Sequence, residues 1–298
     1  MPRTWYRAVT AFLPLRVGAV WDACGMPWFP EVFSAPVLQE LLDKRRREEM
    51  EAVPYFDGLL AGDPDALVES FSGEPLLFDP VRGRVKGVRA FRAFAAQMSE
   101  WLVRRNVSVE DVDHVVLEGR GFEEVVLHVD GETGPVALPW ALVADRRPDG
   151  RIEELRIYHS SRPLTGRPTS RPPLQQPDDA LRRPDVIAEH QRALAAGDVD
   201  AIVATFEPDG YVREPAGVDD VHRGRDALRA FYDRMLSHGG ITQEHCSVVG
   251  DERACALEYN VVRWGSEPLL PQAGLTVYVR GQGGRIAALR VYDDVEGH

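Results

Sequence analysis

Asp79, in the stretch FDPVRG, and Glu214, in REPAG, are acidic residues followed by proline at matching places in the two halves of this chain. A carboxylate held beside an apolar wall loses hydration, its pKa rises, and it can act as a base near neutral pH. Tyr55 and His190 open two versions of one phrase, YFDGLLAGDPDALVESF and HQRALAAGDVDAIVATF. A Tyr O–H or a His N–H facing a pocket can hold an oxygen on which negative charge develops. Plainer readings stay open beside these. Asp79 can satisfy backbone donors in a turn before Arg82 and Gly83. Tyr55, at helical spacing from Leu59, can be a core residue, and His190 can be a packing or surface residue.

The elements that must position these residues occur twice. LLAGDPDALVESF is matched by LAAGDVDAIVATF, DPVRGRVKGVRAFRAF by EPAGVDDVHRGRDALRAF, and RIEELRIY by RIAALRVY, in the same order. Duplication of a whole domain explains this better than a solenoid, which needs more and shorter repeats. In each copy Gly62 or Gly197 closes a first helix, and Asp63 or Asp198 caps a second. The carboxylates of AGDxDA are therefore read as structural. A third helix follows Gly87 and Gly224, with the stripe Phe91, Phe94, Ala95, Met98 answered by Leu228, Phe231, Tyr232, Met235. Four strand patterns then complete each copy, with RPDGR and GQGGR as hairpin turns. The fold class expected is α+β: two tandem cone-shaped domains, each three helices packed on a curved, mostly antiparallel sheet. The boundaries read as an N-terminal extension over 1–53, a first domain over 54–161, a proline-rich linker over 162–183 and a second domain over 184–298. The extension carries Trp5, Trp21, Trp28 and a helical stretch after Pro36.

These phrases, with GxxALRAF and the closing GRIxxLRxY strand, resemble the ketosteroid isomerase and SnoaL-like polyketide cyclase branch of the nuclear transport factor two superfamily, over 54–161 and 184–295. The resemblance implies a cone with an apolar pocket between helices and sheet. It leaves function open among isomerases, aldol cyclases, epoxide hydrolases, dehydratases and binding modules. By the motif, Asp79 and Glu214 hold the place of the isomerase's general base, and Tyr55 and His190 that of its hydrogen-bonding tyrosine. Ketosteroid isomerase is itself a worked case of a tyrosine and a protonated acid forming an oxyanion hole. That second acid is missing here, its place falling at Ala141 or Leu142 and at Thr276. Tandem chains of this kind also resemble the epoxide-opening ether cyclases of polyether pathways.

The function expected is cofactor-free acid–base chemistry on a small apolar, polyketide-like substrate, with Asp79 and Tyr55 the preferred site and Glu214 and His190 the second. The competing reading is a non-catalytic binding or scaffold protein. Trp140, His128, His159, Tyr259 and Trp264 are candidate substrate contacts, although core packing is the plainer role for the tryptophans. His128 is matched to Glu258 and His159 to Asp293, with strand parity unreadable from sequence. No cofactor is called for, and the eight histidines show no metal-ligand spacing. Cys246 and Cys255 read as buried free thiols. A net charge of -12 argues against nucleic acid and anionic membranes as partners. The chain is read as cytoplasmic, an internal pseudo-dimer, with homodimerisation left open.

Overall fold

A computed structural model describes residues 55–132, 134–168 and 170–295. The aromatic segment and helix expected before residue 54 lie outside the described residues. The first cone runs α1 (Tyr55–Ala61), α2 (Pro64–Glu69), β1 (Leu76–Asp79), β2 (Gly83–Lys86), α3 (Val88–Arg104), β3 (Ser108–Leu117), β4 (Arg120–Asp130), β5 (Pro135–Arg146) and β6 (Ile152–His159). A short helix α4 (Arg162–Thr165) follows. The second cone runs α5 (Asp185–Ala196), α6 (Val199–Ala204), β7 (Phe206–Arg213), β8 (Val221–Arg223), α7 (Arg225–Met235), β9 (Ile241–Gly250), β10 (Ala254–Trp264), β11 (Glu267–Arg280) and β12 (Ile286–Val291). The two sheets have the same order, β2-β1-β6-β5-β4-β3 and β8-β7-β12-β11-β10-β9. Among the described strands β1–β6 and β7–β12 pair in parallel and the other pairs are antiparallel.

Local chemistry sets the helix ends. Gly62 and Gly197 take φ of 67° and 71°, a region that costs a residue with a Cβ but not glycine. Asp63 Oδ1 accepts from the backbone N–H of Ala66 at 3.0 Å, and Asp198 Oδ1 from that of Ala201 at 3.0 Å. Those aspartates satisfy otherwise orphaned helix donors. The stripe Phe91, Phe94, Ala95, Met98 and Leu102 is buried along one face of α3, and α7 buries Leu228, Phe231 and Tyr232.

The central strands of each sheet are buried on both faces. The inner faces pack on the helices in two separate cores. The outer faces pack on each other: Val115, Phe122, Ala141, Val143 and Tyr158 meet Val249, Ala254, Ala256, Leu275, Val277 and Tyr292. Two ion pairs cross this third core. Arg156 Nε is 2.6 Å from Glu258 Oε1, and Tyr158 donates to the same oxygen at 2.6 Å. The repeat-related pair has Arg290 Nε 2.8 Å from Glu124 Oε1, with Tyr292 donating to that carboxylate at 2.5 Å. Burial alone would raise the Glu258 carboxyl, but the Arg156 charge and hydrogen bonds from Arg156, Ser247 and Tyr158 hold it below its usual range. The contact between the two sheets is thus closed by apolar packing and by paired, hydrogen-bonded charges.

The proline-rich segment opens with α4 and among its described residues has no strand, and it is hydrogen-bonded to the second cone. Ala273 donates its backbone N–H to Arg171 at 3.0 Å, and Asp178 donates to His245 at 2.8 Å. The Arg171 guanidinium lies 4.2 Å over the Tyr158 ring. The segment is laced to the second sheet, and it brings Arg183 against His245.

Candidate functional site

The second cone encloses a cavity of about 530 Å³, within the range of small-molecule sites. Helix α5 presents His190 and Gln191 to it, α7 presents Phe231 and Tyr232, and the inner face of β10 and β11 presents Tyr259, Thr276 and Tyr278. Glu214 and Pro215, just past β7, and Asp293 and Asp294, just past β12, lie on its wall. Trp264 also lines it and donates its indole N–H to the Met235 carbonyl at 3.1 Å.

Asp293 is the most perturbed acid in the cavity. Burial, reinforced by the neighbouring Asp294 charge, pushes its carboxyl up to about 7. Tyr259 donates to its Oδ1 at 2.8 Å, and the Tyr259 hydroxyl is 2.8 Å from Thr276 Oγ1. With the Tyr259 proton on Asp293, Thr276 must donate to Tyr259. A carboxylate so poised can take a proton near neutral pH and release it again.

His190 is buried, its Nε2 3.2 Å from the Tyr232 hydroxyl and its Nδ1 3.3 Å from the Tyr278 hydroxyl. Burial pulls its pKa down to about 3, so the ring is neutral. Glu214 is partly exposed and bonds to His222 Nε2 at 2.6 Å, while the His222 ring stacks on Phe231 at 4.3 Å. His190, Glu214, Tyr259 and Trp264 therefore share one cavity.

The first cone treats its corresponding residues differently. Asp79 is buried, and its Oδ1 accepts from the backbone of Val81 at 2.9 Å and Arg82 at 2.8 Å, the turn role open to it from sequence. Its Oδ2, the Tyr55 hydroxyl and the Trp140 indole N–H are buried with no hydrogen-bond partner among the described residues. Burial and then the Asp79 charge raise the Tyr55 hydroxyl well above its ordinary value, so the two are neighbours that do not bond. Trp140 stacks on His159 with ring centroids 4.0 Å apart. Burial takes His159 down to about 4 against the pull of Asp79.

Strand register explains the difference. Trp140 lies between Val125 and His159 across three strands. In the second cone the same places hold Gly274, Tyr259 and Asp293, with Gly274 opposite Tyr259. A Cβ on Gly274 would meet Tyr259 Cε2 at 2.4 Å and Asp293 Cγ at 2.8 Å. The indole that occupies this position in the first cone is replaced by the Tyr259–Asp293 pair. Leu142 becomes Thr276, Ala144 becomes Tyr278 and Ala95 becomes Tyr232, so the second cone is polar where the first is apolar.

Two sequence expectations need correction. His128 is not a pocket residue: it lies on the outer face of β4, half exposed, and its Nε2 is 2.7 Å from Glu110. Nor is it the partner of Glu258, whose repeat mate is Glu124, since both sit in the same Arg–Tyr clamp. The run of apolar residues in β4 gives little in sequence to fix which residues of the two repeats correspond. Sequence gives Asp293 only as the counterpart of His159 and assigns it no role. The usable signal was the swap of Trp140 for Gly274 beside new hydroxyl-bearing residues. Cys246 and Cys255 are buried free thiols. Among the described residues no cluster of His, Cys, Asp or Glu is arranged to hold a metal ion, and no helix is long and apolar enough to cross a membrane.

Residues 187–289 match the SnoaL-like domain family. A search of curated proteins finds no match. Among solved structures, a candidate polyketide cyclase from Sinorhizobium meliloti is 23% identical, covers 37% of this chain and 94% of its own, and has a TM-score of 0.31. An NTF2-like protein of unknown function from Cytophaga hutchinsonii is 16% identical, covers 39% and 93%, and scores 0.30. The epoxide hydrolase/cyclase-like enzyme of pyran ring formation in the polyether salinomycin is 23% identical, covers 36% and 87%, and scores 0.30.

Proposed function

We propose that the second cone is a general acid–base enzyme acting on a small, largely apolar substrate of polyketide type, with Asp293 exchanging the proton. The observation that carries this reading is the buried Asp293 carboxyl, poised at about 7 on the wall of the cavity and oriented by Tyr259. Desolvation raises its basicity, and the Tyr259 hydroxyl holds it in one orientation as the proton comes and goes. Glu214 and His190, the second pair expected from sequence, lie on the same cavity, so the reacting group can be held between several polar contacts. The first cone serves as the scaffold half, because Asp79 caps its own turn and Trp140 and His159 occupy each other. A SnoaL-like domain at 187–289 fits isomerase, cyclase, dehydratase and epoxide-opening chemistry alike.

The test uses two probe substrates, a β,γ-unsaturated cyclic ketone and a γ,δ-epoxy alcohol, each followed for turnover from pH 5 to 9. With Asp293 as base, kcat/KM rises with pH through one ionisation near 7 and then levels. A profile flat through that range, or turnover that survives closing the cavity with Gly274→Leu, overturns the assignment. Absence of turnover with both probes, accompanied by tight binding of either, favours the binding-protein reading.

Stability carries the same signature. Asp293 has a folded-state pKa above its unfolded value, so the folded chain binds the extra proton between about pH 4 and 7. Its contribution is fully present below pH 4 and lost as pH rises through 7. The expected loss is up to about 4 kcal/mol, measured as the difference between wild-type and Asp293→Asn urea curves across that range. Equal pH slopes for the two proteins would mean that Asp293 ionises normally.

A further inference from the structure

We infer that Tyr232 is an obligate hydrogen-bond donor to an acceptor oxygen on the ligand, its direction fixed by a one-way chain of hydrogen bonds that begins at Arg183 in the proline-rich segment. The inference rests on the cavity of the second cone being a ligand site, and it does not depend on the role of Asp293.

The chain can be followed atom by atom. A guanidinium has only donors, and Arg183 Nη1 contacts His245 Nδ1. That nitrogen must accept, so the single proton of a neutral His245 ring sits on Nε2. His245 Nε2 is 3.2 Å from Gln191 Oε1. With its oxygen accepting, Gln191 donates its amide N–H to the Tyr278 hydroxyl. Tyr278 then has its own proton to give to His190 Nδ1, 3.3 Å away. His190 must carry its proton on Nε2, which faces the Tyr232 hydroxyl at 3.2 Å. The Tyr232 oxygen accepts that bond, and its own proton has no other hydrogen-bond partner among the described residues. Its ring lines the cavity.

Both histidines must be neutral for this logic to hold. Burial, then the Arg183 charge, takes His245 down to about 4, and burial takes His190 to about 3. Reversing a link at Arg183, His245 or Gln191 sets donor against donor or acceptor against acceptor, and reversing the one between Tyr278 and His190 leaves the buried Tyr278 proton without the acceptor it now has. The chain is also peculiar to the second cone. The first has Tyr55, Phe56, Ala95 and Ala144 at the positions of His190, Gln191, Tyr232 and Tyr278, so none of the relay can form there. The cavity thus offers a proton acceptor at Asp293 and a committed donor at Tyr232. That pairing suits a ligand with a carbonyl oxygen, which becomes more negative as a neighbouring proton is removed.

Nitrogen-15 NMR of histidine-labelled full-length protein reads the tautomers directly. His245 and His190 are expected as neutral Nε2–H rings from pH 5.5 to 8. Arg183→Met should admit the Nδ1–H form of His245, and Arg183→Lys, still only a donor, should restore the single form. A second arm compares binding of 2-acetylnaphthalene with 2-isopropenylnaphthalene, which replaces the carbonyl oxygen by a methylene. Wild type should prefer the ketone roughly three- to tenfold. Tyr232→Phe should abolish the preference, Arg183→Met should weaken it, and Arg183→Lys should keep it. An Nδ1–H or charged ring at either histidine in wild type overturns the inference, as does a ketone preference that survives Tyr232→Phe. If neither naphthalene binds, the tautomers still decide. Loss or survival of turnover in Asp293 variants leaves both arms untouched, so the two proposals fail separately.

Discussion

Asp293→Asn is expected to lower kcat by about 10²–10⁴, the usual range for removing a positioned general base, while leaving the fold intact. Asparagine has nearly the same shape, and its amide oxygen can still accept the Tyr259 hydroxyl now bonded to Oδ1 at 2.8 Å. What it cannot do is take the proton. KM should change little, because a group that acts mainly in the transition state contributes little to ground-state binding. The informative control is Asp79→Asn in the first cone. Among the described residues Asp79 accepts hydrogen bonds from the backbone of Val81 and Arg82 alone, both at Oδ1, and an asparagine oxygen replaces that acceptor. Its effect on kcat is expected to stay within about threefold, a change of about 0.6 kcal/mol. Steady-state kinetics on whichever probe turns over separates the two. The reverse pattern, a large loss from Asp79→Asn and none from Asp293→Asn, would return the reaction to the Asp79–Tyr55 pair of the first cone.

What could be read from sequence divides by the range of the interactions involved. Helix ends were legible because Gly62, Asp63, Gly197 and Asp198 act within one turn of where they stand. The α+β cones were legible because the helical stripes and strand patterns occur twice. The choice between cones was not. It rests on Trp140 against Gly274, residues whose neighbours lie across strands and become visible only once register is known. Parity hid the rest. Glu258 and Tyr259 are adjacent in sequence, yet one faces Arg156 in the inter-sheet core and the other Asp293 in the cavity. Here the usual alternation gives no guide, since β10 is buried on both faces. Nothing local in sequence ties Arg183, an arginine of the proline-rich stretch, to His245 on a strand far along the chain.

The inter-sheet core yields the largest expected change in stability. Arg290→Met should cost about 3–5 kcal/mol, the usual consequence of removing one partner from a buried ion pair. Glu124 has no exposed side-chain surface. Without the guanidinium it would keep the Tyr292 hydroxyl, its donor at 2.5 Å, and no opposing charge in direct contact. Replacing both partners, Glu124→Leu with Arg290→Met, removes the stranded charge and should recover most of that loss, because well-packed apolar residues can stand in for a buried pair. Equilibrium urea denaturation of the two single variants and the double variant gives the coupling directly. The same data show whether the cones are one folding unit. The outer faces carry Val115, Val143, Leu275 and Val277 into a shared core, so neither cone can open without exposing its partner's apolar face. One cooperative transition that moves as a whole in Arg290→Met would follow from that coupling. Two transitions, with only one displaced, would mean that each cone is stable alone and that the paired charges set the docking geometry instead. In a coupled pair the first cone supports the site without touching a ligand, because it holds the outer face of β10 while the inner face carries Tyr259 to Asp293.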